Sequence, residues 1–467
     1  MLEQGSSSSA GNELVFFERT PYMSAELLDV ADNYSVATYY DDDFFKNLHQ
    51  AGYDIKTFGN TDFDQLIGSD VAVVHMLRSR EFIRKIMEKR SNSHALFFYM
   101  NHDIDHALKN TGMNIAVPNY DLQERLGSKT LIPEICQKLV LPQNPSIILE
   151  FDSSNPSQQY DNISKNLGTP FVIQGATGVS GEDTFLIENA SAFARYGTVV
   201  TGYIKASKYL ENIIPISMHA CIADDQVSIE GPYPQIIGFD TLTTNPFQFA
   251  GNDTSQSMFS ASFIEVVKLH TEQVATFLRN NGYSGIAGVD FLWDQNTNVP
   301  YLQEINARLV GLTRLLTGIQ IKQKVLPSIV RQAEIFMGKG AIGDFSDHAA
   351  SDSIDTQNQN YSQIIVANNS QQTASTRKTL DAGIYQTNIE GKIHKRQDSV
   401  FMKDMQEDDV LVTMPIYQDC HFAPEAVLTK IILASSALED GKYELKKGIV
   451  DIVHSIREHV FSSSIIE

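Results

Sequence analysis

Hydrophobic and polar positions divide the chain into segments of different period. Residues 14–17, 71–75 and 95–99 are short continuous apolar runs, the pattern of strands buried on both faces of a parallel sheet. Residues 53–58 read as a further strand, and residues 43–52 and 79–89 as helices. Strands alternating with helices predict a first domain of α/β class. Farther along, residues 169–174 and 185–187 predict two strands around a glycine-rich loop, and residues 199–204 and 215–222 two more. Phe263, Val266, Val267, Val274, Phe277 and Leu278 recur at helical spacing, which predicts a helix over residues 260–281 ended by Gly282. Residues 129–139 and 321–337 also read as helices.

The most informative pattern lies between Gly288 and Gly311. Residues 288–293 are apolar and β-prone apart from Asp290, residues 294–298 are turn chemistry, and residues 300–308 form a return strand. Side chains alternate along a strand, so Glu304, Asn306 and Arg308 share one face while Ile305 and Ala307 take the other. A hairpin symmetric about Thr297 sets Asp290 opposite Glu304. One wall then carries two carboxylates, an amide oxygen and a guanidinium. Such oxygen donors suit Mg²⁺ together with substrate phosphates, and the guanidinium suits phosphate or carboxylate oxygens. The rival reading is a merely solvated face, which does not explain charges on strands otherwise so apolar.

Residues 338–363 are rich in Gly, Ser, Asp, Asn and Gln and read as a linker or mobile loop. Strands over 364–366, 383–385 and 410–412, a turn at Glu390-Gly391, and helices over 424–438 and 444–460 predict a small C-terminal α/β domain. The expected organisation is a flexible leader (1–12), an N-terminal α/β domain (13–125), a central domain (126–337) with a small lid over about 130–202, the linker, and the C-terminal domain (364–467).

Composition narrows the function. The 467 residues are 42% hydrophobic and 20% charged, which predicts a soluble chain of about three domains. No apolar run approaches the roughly 18 residues of a membrane span, and no secretory signal is visible, so a cytoplasmic location is expected. A net charge of −21 argues against nucleic acid as a partner. It also requires any nucleotide site to be locally positive. Cys136, Cys221 and Cys420 are widely spaced and suit buried thiols in a reducing compartment better than a metal or disulfide framework. His102 and His106 lie one helical turn apart, but without further ligands they fit a solvated helix start capped by Asn101.

The sequence G-V-D-F, a turn, then Y-L-Q-E-I-N-A-R-x-x-G (residues 288–311) resembles the metal-binding signature of the ATP-grasp superfamily. Within it, the chain looks most like the carboxylate–amine ligases that join amino acids or peptides. The resemblance spans about residues 14–335. It implies an ATP-grasp fold of α/β (overall α+β) class, with ATP and one or two Mg²⁺ ions as cofactors, or Mn²⁺ in their place. The expected partners are a small-molecule carboxylate and an amine, with a homodimer as an option and no nucleic acid or membrane. Asp290, Glu304 and Asn306 would hold metal. Arg308 would stabilise the transferring phosphoryl group or the tetrahedral intermediate, and Gly311 would bring backbone near the phosphates. Arg314 is either a contact for the substrate carboxylate or a plain helix arginine. Lys129 matches one of the family's phosphate-binding lysines. Where the other usually ends the strand before the glycine loop, this chain has Gln174. Gly175, Gly178, Ser180 and Gly181 belong to that loop. Backbone groups of Tyr203, Ile204 and Lys205 would read the adenine edge, and Glu211 would hold the ribose, or be an ordinary loop carboxylate. The implied activity is ADP-forming: a carboxylate is activated as an acyl phosphate and joined to an amine. The alternatives are a carboxylase or a ligase using another nucleophile, and a non-catalytic nucleotide-binding module, which Gln174 motivates.

Overall fold

The computed structural model describes residues 12–62, 67–88, 92–176, 181, 183–196, 202–348, 354–355, 360–388 and 391–461. Five parallel strands, Glu13–Glu18 (β1), Tyr34–Tyr40 (β2), Ile55–Asn60 (β3), Ser93–Leu96 (β4) and Asn114–Ile115 (β5), form an N-terminal sheet in the order β3-β2-β1-β4-β5. β1 and β2 are buried at every position, the burial expected of a central parallel strand covered on both faces. Residues 71–75 are not a strand. They lie in the helix Ser69–Arg78, which buries Ala72, Val73, Val74, Met76 and Leu77. A five-residue apolar run fits a buried helix as well as a buried strand, and here the helix wins. The helix His102–Leu108 begins as expected, with Asn101 Oδ1 accepting from the Ile104 amide at 2.8 Å.

A second, four-stranded sheet is built from Ser146–Glu150 (β6), Phe171–Gly175 (β7), Thr184–Ile187 (β8) and Tyr203–Lys208 (β9), in the order β6-β9-β7-β8. Its core is its own, with Ile163, Phe171, Ile173, Phe193 and Ile204 at its centre. This small sheet spans residues 146–208, overlapping the segment of about 130–202 expected to form a lid and running past it through β9.

The largest sheet has ten strands. It draws on Ile213–Ile222 (β10), Val227–Ile237 (β11), Phe249–Asp253 (β12), Gly285–Asp294 (β13), Val299–Asn306 (β14) and Ser362–Ala367 (β15). Beyond a two-stranded pairing of Ala374–Ser375 (β16) with His421–Phe422 (β20), it continues through Gly383–Thr387 (β17), Ile393–Gln397 (β18), Val410–Val412 (β19) and Val427–Leu433 (β21). The order is β14-β13-β10-β11-β12-β15-β21-β19-β17-β18. The C-terminal strands therefore extend the central sheet, because β15 pairs antiparallel with β12 through Gly251↔Ile364 and Asn252↔Gln363. Two sequence expectations change here. Residues 424–438 hold strand β21, whose β-branched run Thr429, Ile431 and Ile432 is buried between neighbours on both sides. The helix expected over 321–337 is two helices, Leu312–Lys322 and Ser328–Met337, interrupted where Lys324 takes a φ of 57° just before Pro327.

The helices Ala261–Asn280 and Lys447–Phe461 match their sequence patterns, and Ser260 Oγ caps the first by accepting from Phe263 at 3.2 Å. All three cysteines are free and buried. Among the described residues, no helix is long and apolar enough to cross a membrane.

Candidate functional site

β13 and β14 set Asp290 directly opposite Glu304, and Gly288 opposite Asn306. The register shifts after Asp290, so Phe291 faces Leu302 and Gln303 has no cross-strand partner. Each Asp290 oxygen is engaged: Ser217 Oγ donates to Oδ1 at 2.7 Å and Asn306 Nδ2 donates to Oδ2 at 2.8 Å. Gln235 Nε2 donates in turn to Ser217 Oγ at 2.7 Å. Arg308 donates from Nη2 to Asn306 Oδ1 at 2.8 Å and from Nη1 to the Leu309 carbonyl at 3.0 Å, and its guanidinium lies 5.3 Å from the Phe98 ring centroid. Burial, followed by the neighbouring Glu304 charge, pushes the Asp290 carboxyl up to about 7. A bound dication would relieve that repulsion. Among the described residues, no three His, Cys, Asp or Glu side chains converge as a metal site. Asp290, Glu304 and the Asn306 amide oxygen could supply part of an oxygen shell, the usual protein share for Mg²⁺ when phosphates and water complete it. Asn306 Oδ1 accepts from Arg308 with one lone pair and has a second for such a shell.

The lid faces this wall. Gln174, at the end of β7, accepts from Gln303 Nε2 at 2.6 Å and donates to Thr184 Oγ1 at 3.3 Å. Directly across the β7–β9 ladder from Gln174 stands Lys205. Its ammonium donates to the Gln303 carbonyl at 3.1 Å and to Gln303 Oε1 at 3.3 Å. Lys205 is 3% exposed, and burial pushes it down to about 8 despite the attraction of Glu304. Lys129 also reaches this point. Its Nζ lies 3.7 Å from Glu304 Oε1, and its backbone N–H donates to the Ala176 carbonyl at 3.1 Å. The lysine missing at position 174 is thus matched by a lysine on the adjacent strand.

Between lid and wall lies a cavity of about 650 Å³. Lys129, Gln174, Gly181, Asp290, Glu304, Asn306, Arg308 and Gly311 line it. So do residues that the sequence did not single out: Ser217, Gln235, Asn252, Gln303 and Lys430 on the sheet, and Phe98 and Tyr99 from the N-terminal domain. One part is apolar, with Val172, Leu186, Leu210 and Leu292. Leu292 is two residues along β13 from Asp290, so the apolar and carboxylate surfaces share a strand face.

Several expected residues lie elsewhere. Ile204 and Lys205 pair on both sides, with β6 and β7, and their backbone groups are spent on those ladders. Tyr203 is 58% exposed. Tyr203, Ile204 and Lys205 are not among the residues that line the cavity, whereas Tyr209 and Leu210, just past the end of β9, are. Glu211 follows them and is exposed. Arg314 is wholly buried, 3.4 Å from Glu26 and 3.1 Å from the Val400 carbonyl, and it does not line the cavity. His219 is a buried histidine 3.3 Å from Thr313 Oγ1, pushed down to about 4 by burial. Gly175 ends β7, its N–H donating to the Asp183 carbonyl at 3.2 Å. Gly181, at a φ of 85°, packs so closely on Phe247 that a Cβ would run into that residue's carbonyl oxygen. Gly178 and Ser180 lie outside the described residues.

A four-stranded lid over a long antiparallel sheet, with a carboxylate hairpin beneath it and a parallel domain alongside, is the ATP-grasp fold. No protein-family model matches the sequence, and no curated protein matches it. Solved structures do match. The biotin carboxylase domain of the 2-oxoglutarate carboxylase of Hydrogenobacter thermophilus, in complex with MgADP, ADP and bicarbonate, is 12% identical; the match covers 91% of this chain and 86% of that one, with a TM-score of 0.60. Biotin carboxylase from Campylobacter jejuni is 13% identical, over 91% of this chain and 87% of that one, with a TM-score of 0.60. The N5-carboxyaminoimidazole synthase of Aspergillus clavatus, in complex with ADP and an aminoimidazole ribonucleotide, is 11% identical over 96% of this chain and 100% of that one, with a TM-score of 0.58.

Proposed function

We propose that the protein is an ATP-dependent, ADP-forming ligase that activates a small carboxylate as an acyl phosphate and joins it to an amine. The observation that carries this reading is the Asp290–Glu304 cross-strand pair, networked to Asn306 and Arg308 and roofed by Lys129, Lys205 and Gln174. The apolar part of the cavity, between Val172, Leu186, Leu210 and Leu292, suits a purine ring, with Tyr209 and Leu210 at its edge. ATP phosphates then fall toward Lys129, Lys205 and Gln174, over the two carboxylates. Mg²⁺ bound at Asp290, Glu304 and Asn306 would neutralise phosphate charge.

In this reaction a substrate carboxylate oxygen attacks the γ-phosphorus as the bond to ADP breaks. The amine nitrogen then attacks the acyl carbon and loses a proton, and phosphate departs with its oxygen. Lys129 and Lys205 stabilise the charge that builds on the phosphoryl oxygens. Arg308, through N–H groups not used on Asn306 and Leu309, stabilises the phosphoryl group or the tetrahedral oxyanion. No covalent bond to the protein is required.

A second reading has bicarbonate as the carboxylate. It is favoured by the match of nearly the whole chain, C-terminal strands included, to structures whose names describe carboxylases and a carboxyaminoimidazole synthase. One experiment addresses both: a matrix of carboxylates, bicarbonate among them, against amines, followed by ADP release and product mass. Amide products with amino acids support the ligase. ADP release that depends on bicarbonate supports the carboxylase. ATP analogue binding with no ADP release under any pairing leaves only the non-catalytic module.

A further inference from the structure

The cavity continues past Asp290 along one face of the ten-stranded sheet. Ser217 pairs with Asp290, Gln235 bonds to Ser217 and pairs with Asn252, and Asn252 pairs with Gln363. On the next strand Lys430 pairs with Ile365, two residues along from Gln363 and so on the same face. Lys430 Nζ lies 3.8 Å from the Tyr22 ring centroid. The Tyr22 hydroxyl donates to Gln363 Oε1 at 2.9 Å, and Gln363 Nε2 donates to Asn252 Oδ1 at 3.1 Å. That leaves the Asn252 amide nitrogen without a partner among the described residues, on a side chain only 1% exposed. Asn252, Lys430 and Gly311 all line the cavity. Gly311 begins the helix Leu312–Lys322, and a Cβ on it would lie 3.8 Å from Gln363 Nε2, so the positive end of that helix closes the same corner.

This corner is cationic within a chain of net charge −21. Arg19 and Arg314 act on Lys430 with like charge. Among the described residues, no carboxylate forms an ion pair with Lys430. Glu18 acts on it through space, but Glu18 already accepts from the Met23 amide at 2.9 Å, and burial pushes its carboxyl up to about 7. Lys430 itself, pushed down to about 8 by burial, stays mostly protonated at neutral pH.

We propose that Lys430, the Asn252 amide and the start of the Leu312–Lys322 helix bind an anionic group, carboxylate or phosphate, on the substrate that ATP does not supply. The inference rests on the ligase reading of the cavity and adds a specificity determinant to it. Lys430 stands on the fifth strand along from that of Asp290, in the same cavity. The anion it holds is therefore a second group on the substrate, separate from the carboxylate that reacts.

The test is calorimetric titration of inorganic phosphate and of glutarate into protein saturated with ADP and Mg²⁺, which fills the nucleotide end. Wild type is expected to bind one probe saturably, and the probe that binds identifies the anion. Lys430→Met, which keeps the contact with Tyr22, should weaken that binding about tenfold, and Lys430→Arg should largely restore it. Asn252→Ala, which removes the second donor together with the acceptor of Gln363 Nε2, should weaken it about threefold, and it decides the matter if Lys430→Met does not fold. Saturable binding of neither probe to ADP-loaded wild type, or equal affinities in wild type and the folded variants, overturns the inference. Failure of wild type to bind ADP at all would instead remove the ligase reading beneath it.

Discussion

Gln174 and Lys205 face each other across one rung of a ladder, so a charge absent from one strand is present on its neighbour. A lysine at 174 would add a cation beside Lys205 and near Lys129, and like charges oppose one another in a buried site. Gln174→Lys is therefore expected to leave ATP-analogue affinity unchanged or lower, whereas Lys205→Met should lower it about tenfold; titration at fixed Mg²⁺ and ionic strength separates the two, and a several-fold gain for Gln174→Lys would refute the compensation. Glu304→Ala should cut kcat by about a hundredfold or more while the analogue still binds, since it removes charge that matters most in the transition state. Turnover like that of wild type would take Glu304 out of the chemistry. At this scale the hairpin was legible because Glu304, Asn306 and Arg308 recur with period two and Asp290 interrupts an otherwise apolar run. Ser217 was not, because it meets Asp290 across 73 residues of sequence. Lys430 was hidden for the same reason, on a strand that the sequence pattern assigned to a helix.

Strands β12 and β15 make the joint that merges the C-terminal strands with the central sheet. The joint depends on Gly251, which has a φ of 149° and lies so close to β15 that a Cβ would strike the Gln363 carbonyl. Gly251→Ala is expected to cost more than about 2 kcal/mol, through backbone strain and steric conflict together. Chemical denaturation measures it, and a loss below about 0.5 kcal/mol would mean the joint yields easily. Element identity was legible where amphipathic period and capping agreed, as at Ser260 and the helix it starts. It was lost where burial erased the period. Residues 71–75 and 427–433 are both short, mostly apolar runs, interrupted by His75 in one and by Thr429 and Lys430 in the other, and only their neighbours decide that one is a helix and the other a strand. Strand β2 was missed altogether, its alternation masked because both faces are buried.

For the whole molecule, buried acids set the response to pH. Burial raises Glu18, Glu230 and Asp290 to about 7 and moves Glu26 and Asp253 upward as well. Each holds a proton in the folded chain at pH values where the unfolded chain has released it. The contribution of Glu18, Glu230 and Asp290 to stability is therefore full below the unfolded value of about 4 and is lost as pH rises toward 7, and Glu26 and Asp253 act in the same direction. Lys205 and Lys430, lowered to about 8, act in the opposite sense above that pH, and His219, lowered to about 4, with His94, His270 and His348, acts in the opposite sense below about 6.5, where the more numerous acids outweigh them. The apo protein is expected to melt at a higher temperature at pH 5.5 than at pH 7.5. Glu230→Gln, which keeps an acceptor for the Ile354 amide now at 3.2 Å, should flatten the profile. A profile that rises over this range would contradict the sign. The ten-stranded sheet has a further consequence. It ties the carboxylate hairpin and Lys430 into one hydrogen-bonded floor, while the lid is a separate sheet resting on that floor through Gln303, Gln174, Lys205 and the Lys129–Ala176 contact. Those contacts use the donors that an incoming phosphate would claim, so entry exchanges one set of hydrogen bonds for another. In the proposed reaction, affinity would then come from charge neutralised and apolar surface covered, because each hydrogen bond gained replaces one lost.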